Sequence, residues 1–221
     1  MNELIWLLHI MILTVSIILI GLWKEEILCD ILPIILIAMN MFVAKLLPLF
    51  GQTLPAGDSL AVAYALGLNI IAYKRGESAS LKVLHRSGIM MFFMSFLCVW
   101  HIMIPAPPND TLSTAHDIVF MQTPWMYMAS WLSFYSAQRI ERALFASLIT
   151  SCSFTLCHSI SSISAHIIDT LLFTLIGLHF HAIDSITIIG WSLLIKTLAW
   201  FISVLGVHLF YENNMAKRLS I

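Results

Sequence analysis

Residues 4–23 read LIWLLHIMILTVSIILIGLW and contain no Asp, Glu, Lys or Arg. A helix of about 20 apolar residues crosses the hydrocarbon core of a bilayer, which is about 30 Å thick. The stretch is too long for the apolar part of a signal peptide, and no basic residue precedes it. No small-residue cleavage pattern follows it. It therefore predicts a true membrane-spanning helix.

The rest of the chain has the same apolar character. Of its 221 residues, 60% are hydrophobic and 10% are charged, whereas soluble domains are about 25% charged. Six further apolar stretches lie at residues 31–48, 59–73, 87–104, 118–138, 158–180 and 185–211. An apolar run at 143–156 is shorter, and we interpret it as interfacial or as a lead-in to the sixth span. The predicted fold is all-α, a polytopic bundle of about seven transmembrane helices that forms one membrane domain over residues 1–221.

Positive charge sorts to alternate connections between these spans. One set of connections carries nine of the eleven Lys and Arg residues: Lys24, Lys74, Arg75, Lys82, Arg86, Arg139, Arg142, Lys217 and Arg218. The opposite connections, residues 50–57, 105–117 and 181–184, carry none. Because cytoplasmic loops collect Lys and Arg, we expect the N-terminus outside and the C-terminus in the cytoplasm of an inner-membrane protein. The net charge of −1 gives no basic field for nucleic acid.

Polar side chains inside the predicted spans are the candidate functional residues, because an ionisable group at membrane depth is costly unless it is paired or faces a cavity. Asp169 lies in the middle of the sixth span, and His158, Ser162 and His166 precede it at helical spacing on one face. Lys196 in the seventh span is predicted to neutralise Asp169. The other candidates are Asn40, Asn69, Gln138 and Glu141. Asp58 and Glu141 lie near the predicted interfaces, where such residues are usually solvated.

A packing role for the same residues stays open. Ser and Thr in membrane helices often hydrogen-bond to a neighbouring helix, and buried His and Asn do the same. Motifs for enzymes are missing: the chain has no G-x-S-x-G, no H-E-x-x-H and no G-x-x-x-x-G-K. The pattern favours a small-molecule transporter with a site near the midplane over an enzyme, and no cofactor is predicted.

Several short motifs carry a family resemblance, and their order and spacing cover most of the chain. They are N40-MFVA-K45, F50-GQTLPA-GD58, L66-GL-N69, Q138-RI-E141 and S161-SISAHII-DT170, with Lys196 downstream. In these motifs the chain resembles the queuosine-precursor transporter family, also called the vitamin uptake transporter family. The resemblance implies a transporter core at residues 31–211, an additional N-terminal helix at 4–23, and import of a 7-deazaguanine base: 7-cyano-7-deazaguanine, its aminomethyl relative or queuine.

Residue chemistry is compatible with such a substrate. A deazaguanine presents an N–H and an amino group side by side, and one carboxylate accepts both. We expect Asp169 in that role, with Lys196 holding it ionised in the empty state. The predicted substrate-binding set is Asp169, Asn40, Asn69, Gln138, His166, Ser162 and Lys196. A homo-oligomer and an energising partner both stay open, since the chain has no nucleotide-binding motif.

Two rival hypotheses come from other classes. One is an intramembrane metal-dependent enzyme built on His158, His166 and Asp169, with His179 and His181 nearby. The other is a structural membrane subunit in which Asp169 and Lys196 only pair two helices.

Overall fold

The computed structural model describes residues 2–43, 45–105, 107, 123–177 and 185–212. Within these residues the chain forms seven α-helices: α1 (Asn2–Trp23), α2 (Glu25–Val43), α3 (Asp58–Arg75), α4 (Glu77–Ile102), α5 (Thr123–Leu148), α6 (Phe154–Gly177) and α7 (Ser185–Gly206). A π-helical segment, Val207–Glu212, continues α7. The predicted all-α bundle of about seven helices is therefore confirmed.

Judged by length and composition, five segments of this bundle are long and apolar enough to cross a membrane. They are α1, α2, α4, α6 and the segment Ile189–Leu209. The other two helices, α3 and α5, are less apolar over their length, and each contains three charged residues: Asp58, Lys74 and Arg75 in α3, and Arg139, Glu141 and Arg142 in α5. The chain is a multi-pass membrane protein whose two most polar helices hold much of its buried charge.

Several helix ends differ from their predicted positions. Helix α4 begins at Glu77, ten residues before the predicted start at 87, and α5 continues to Leu148, ten residues past the predicted end at 138. The predicted spans end at the first charged residue, whereas the helical backbone continues past it. The run 143–156 consequently divides, since its first part ends α5 and α6 begins at Phe154.

The predicted second span, residues 31–48, is wrong at both ends. Helix α2 covers Glu25–Val43, and two antiparallel strands follow, β1 (Leu46–Leu49) and β2 (Gln52–Pro55). Pro48 cannot continue a helix without the loss of a hydrogen bond. The turn between the strands is Phe50–Gly51, and both residues have positive φ, 52° and 75°, as in the tight hairpin turns that match strand twist. An apolar hairpin therefore occupies what the sequence presented as helix and loop.

Helix α3 is the centre of the bundle. All fourteen of its residues from Asp58 to Ile71 are buried, and it packs against each of the other six helices. A helix that is enclosed on all sides requires close neighbours. A Cβ atom at Gly67 would lie only 2.5 Å from Leu32 Cδ2, so glycine lets α2 approach α3 closely. Helices α5 and α6 pack along their length beside α3.

Candidate functional site

The first polar cluster surrounds the ammonium group of Lys196 on α7. Lys196 Nζ donates to Asp169 Oδ2 at 2.7 Å and to Thr170 Oγ1 at 2.9 Å, both on α6. It also lies 3.6 Å from Oδ1 of Asp58, the first residue of α3. The other oxygen of Asp58 accepts a hydrogen bond of 3.0 Å from Ser192. We call these five residues the Lys196 site; it joins three helices through one cation and two carboxylates.

Helical periodicity explains how the site is assembled. Ser192 and Lys196 are four residues apart and share one face of α7. Asp169 and Thr170 are adjacent on α6, and Asp58 begins α3 directly after the hairpin and Gly57. All five side chains are buried. An ion pair in such surroundings is maintained only when hydrogen bonds satisfy its remaining atoms, and Thr170 and Ser192 provide them.

A pocket opens beside the Lys196 site. Its wall contains both carboxylates, Lys196, Ser192 and Thr170, together with Met39 and Val43 of α2, Gly57, Ala61, Ser130 of α5, and Phe173 and Thr174 of α6. The cavity has a volume of about 40 Å³, which is enough for a few water molecules. Charged groups, hydroxyl groups and one aromatic ring therefore line the same cavity.

The second polar cluster surrounds Glu141 on α5. Oxygen Oε1 of Glu141 accepts from Asn69 of α3 at 2.7 Å and from Ser162 of α6 at 2.6 Å, and Oε2 accepts from Gln138 at 2.8 Å. A second hydrogen of the Asn69 amide faces Nδ1 of His158 at 2.7 Å. These five residues, with Arg142 and Ser203, form the Glu141 cluster. It lies near the end of the bundle opposite to the hairpin.

Hydrogen bonds fix the tautomer of His158 in this cluster. Its Nδ1 faces the Asn69 amide, which can only donate, so Nδ1 accepts. Nε2 then carries the hydrogen and donates to Ser203 of α7 at 3.2 Å. Helices α3, α5, α6 and α7 are thus tied together by one neutral imidazole and one carboxylate.

Arg142 supplies the counter-charge of the second cluster. Its Nη2 lies 3.1 Å from Glu141 Oε1, and both side chains are fully buried. The guanidinium makes no hydrogen bond within the described part of the chain, and it stands 5.7 Å from the centre of the Phe145 ring. A buried cation held by one carboxylate and one aromatic face depends strongly on that carboxylate.

His166 lies between the two clusters on α6. It is three residues before Asp169 and four after Ser162, so it shares their face of the helix. The side chain is buried, and its Nε2 has no hydrogen-bond partner among the described residues. Asn40 lies elsewhere: it is buried between α2 and α4 and donates to Leu36 O and to Met91 Sδ, each at 2.9 Å.

Comparison with known proteins assigns the chain to a family. Residues 55–211 match the family described as "Putative vitamin uptake transporter". The chain belongs to this family. The resemblance drawn from the sequence motifs is confirmed, and the matched range contains both polar clusters. No curated protein and no solved structure matches the chain. Family membership indicates a transporter.

The predicted site residues of this transporter family member divide into groups. Asp169 and Lys196 meet in the Lys196 site, as the predicted ion pair requires. Asn69, Gln138 and Ser162 meet in the Glu141 cluster, with His166 between the two. Asn40 joins neither, since its contacts are to Leu36 and Met91. Whether any of the seven binds substrate stays a prediction.

Sequence reasoning missed the burial of three charged residues. Asp58 and Glu141 were expected to be solvated, but they are 8% and 0% exposed, and Arg142, counted among the residues of a cytoplasmic loop, is 1% exposed. Pairing of opposite charges is the signal that could have predicted that these residues are buried. Glu141 and Arg142 are adjacent and opposite in charge, and Asp58 occurs where a buried lysine on another helix needs a second partner.

Some sequence-based expectations lie outside the described residues. These include His179 and His181, the connection 181–184, residues 108–117, and Lys217 and Arg218. Within the described ranges, no group of three or more His, Cys, Asp and Glu side chains is placed to hold a metal ion.

Proposed function

We propose that this transporter imports a queuosine precursor, a 7-deazaguanine base, across the cytoplasmic membrane. The observation that carries the proposal is the pocket at the Lys196 site, where two carboxylates, one ammonium and the ring of Phe173 line one cavity. A deazaguanine has a flat aromatic face, a pair of adjacent hydrogen-bond donors and a carbonyl acceptor. The pocket contains a complementary group for each.

Recognition of the base would begin at Asp169. Its carboxylate accepts the N–H and the exocyclic amino group as a bidentate pair, the stronger kind of hydrogen bond because the acceptor is charged. Lys196, whose Nζ lies 2.7 Å from Asp169 Oδ2, then turns toward the carbonyl oxygen of the base. Phe173 offers an aromatic face for stacking.

The Glu141 cluster would meet the base later on its path. Asn69 Oδ1 and Gln138 Oε1 are buried without hydrogen-bond partners in the described part of the chain, so both can accept from a ligand. Ser162 and His166 lie on the face of α6 that connects the clusters, and Ser162 lies about 10 Å along the helix from Asp169. Asn40 would reach the substrate only after α2 moves relative to α4.

Passage of a base requires the helices to separate. The pocket, with a volume of about 40 Å³, has room for only a few water molecules. A bicyclic base is several times larger than a water molecule and does not fit. We infer that the structure represents a closed state, with the hairpin on the external side and the turn at Gly76 on the cytoplasmic side.

The test is uptake in a bacterial strain that neither makes queuosine nor imports its precursors. The strain expresses this chain and a tRNA-inserting enzyme matched to each base, and each 7-deazaguanine is supplied separately. Queuosine in tRNA is the readout. We expect one base to restore the modification and Asp169→Asn to abolish it at unchanged protein level in the membrane.

Asp30→Asn is the matched control, because it makes the same chemical change in a 74% exposed side chain that pairs with Arg86 on the surface. If no base restores queuosine although the protein reaches the membrane, the substrate is wrong. If Asp169→Asn instead removes the protein from the membrane, the structural-subunit hypothesis gains. Wild-type uptake in Asp169→Asn would exclude Asp169 from the substrate site.

A further inference from the structure

Charge does not balance in the Lys196 site. Asp58 and Asp169 are both 8% exposed and Lys196 is 4% exposed, so two carboxylates share one ammonium in a buried position. With all three groups ionised, the site has a net charge of −1. A buried net charge at membrane depth costs several kcal/mol, and the cost rises when bound substrate displaces the water in the pocket.

The surroundings of Asp58 contain few groups that could offset this charge. Helix α7 contributes Lys196 and Ser192, and α6 contributes Asp169. The walls from α2 and α5 are Met39, Val43 and Ser130, which do not titrate. On α1 the nearest titratable group is His9, which contacts Ser59, the neighbour of Asp58, at 3.4 Å. Lys196 is therefore the principal compensating charge for both carboxylates.

Distances show which carboxylate is the less compensated. Asp169 accepts a direct hydrogen bond from Lys196 at 2.7 Å, whereas Asp58 stands 3.6 Å from the same nitrogen. Asp58 receives only the neutral hydroxyl of Ser192 at its other oxygen. Of the two carboxylates, Asp58 is therefore the one better placed to carry a hydrogen.

We propose that Asp58 binds one proton that crosses the membrane together with the substrate. The inference rests on the proposed function and adds its driving ion. In the loaded site Asp169 is ionised, Lys196 is charged and Asp58 is neutral, so the net charge is zero. The proton comes from water on the hairpin side, forms an O–H bond on Asp58, and returns to water when the site opens to the other side.

His166 is a group to which this proton can move after it leaves Asp58. Its buried Nε2 has no partner among the described residues, and the ring lies between Asp169 and Ser162 on one face of α6. A proton that leaves the Lys196 site therefore meets a titratable imidazole on the way to the Glu141 cluster. Neither Lys196, which pairs with Asp169, nor Arg142, which pairs with Glu141, offers an acceptor there.

The transport test uses the purified full chain in proteoliposomes with radiolabelled base. Two modes are compared: exchange of base at equal concentrations on both sides, and accumulation against a gradient driven by an inward proton gradient. We expect the wild type to accumulate base, by up to roughly 50-fold for each ~100 mV of proton-motive force. Asp58→Asn should lose proton-driven accumulation, and Asp169→Asn should lose both exchange and accumulation.

A second measurement needs no substrate. Infrared difference spectra of the purified protein between acidic and alkaline pH show the C=O band of each carboxyl group that gains a proton. We expect a band that is absent in Asp58→Asn and present in Asp30→Asn. A band unchanged by Asp58→Asn would overturn the proposal, because the proton would then reside elsewhere.

The outcomes separate this proposal from the function beneath it. A wild-type protein that exchanges base but accumulates none in a proton gradient, or accumulates it only in a sodium gradient, overturns proton coupling and leaves the substrate standing. A wild-type protein that exchanges no base overturns the proposed function, and with it co-transport; the infrared band then shows whether Asp58 still holds a proton.

Discussion

Lys196 and Asp169 lie on adjacent helices, α7 and α6, and their side chains meet at 2.7 Å in a buried position. The relationship is asymmetric, because Lys196 is the only cation for Asp169 and Asp58 within the described site, whereas Lys196 has two carboxylate partners. Removing the cation should therefore cost more than removing either acid.

We expect Lys196→Met to be the most destabilising substitution at this site. It leaves two buried carboxylates without a counter-charge, and breaking a buried pair from one side costs about 3–5 kcal/mol of unfolding free energy. Asp169→Asn keeps Lys196 paired with Asp58 and should cost less. The measurement is the thermal denaturation midpoint of the protein in detergent. Lys82→Met, at an exposed position of α4, is the control, and equal midpoints for the two buried variants would refute the asymmetry.

Glu141→Gln should destabilise the bundle by a comparable amount, about 3–5 kcal/mol. The substitution leaves Arg142 fully buried without its carboxylate partner and weakens three hydrogen bonds at once. Ser162→Ala removes one of those bonds and should cost about 1 kcal/mol. Both predictions are tested by measuring how far each substitution lowers the abundance of the protein in the membrane. Glu26→Gln, at an exposed position, is the control. A Glu141→Gln protein as stable as the wild type would mean that Arg142 has another partner.

Two glycines in helices should respond in opposite ways to alanine. At Gly67 a Cβ would lie 2.5 Å from Leu32 Cδ2 in the enclosed contact of α2 with α3, so Gly67→Ala should cost about 1–3 kcal/mol. At Gly190 no atom of the described residues lies within 4 Å of the added atom, and Gly190→Ala should be neutral or stabilise the helix by up to about 1 kcal/mol. Denaturation midpoints of the two variants test the packing, and a neutral Gly67→Ala would show that α2 can move away freely.

The proposed orientation predicts opposite labelling of two introduced thiols. In a background without the four native cysteines, Pro48→Cys in the hairpin should react with a membrane-impermeant thiol reagent added to intact cells. Ser78→Cys, in the exposed first turn of α4, should react only after the membrane is permeabilised. The reverse pattern would invert the topology derived from the Lys and Arg distribution.

Much of the fold follows from charge-free stretches, and the exceptions have physical causes. Spans α1 and α3 are predicted to within a few residues because they end beside the charged residue Lys24 and the turn residue Gly76. The start of α4 was missed because Lys82 and Arg86 are compatible with a helix that extends beyond the hydrocarbon layer. The hairpin was missed because a short, apolar strand has the same composition as the end of a membrane helix.

The candidate site was predictable only where periodicity within one helix decides the neighbours. Positions 158, 162, 166 and 169 share a face of α6 in any helix, and the ion pair of Asp169 with Lys196 follows from the cost of burying either alone. The separation of Asn69 and Gln138 from that pair depends on how deeply each helix is placed in the bundle. A single sequence has no information on those relative depths.

The buried helix α3 contributes Asp58 to one polar cluster and Asn69 to the other, eleven residues or about 16 Å apart. Because one helix contributes to both clusters, a movement of that helix couples them, and such a coupling acts equally in both directions. If occupancy of the Lys196 site shifts α3 along its axis, the Asn69–Glu141 contact must change with it, and a disturbance there must alter affinity at the distant site by the same free energy.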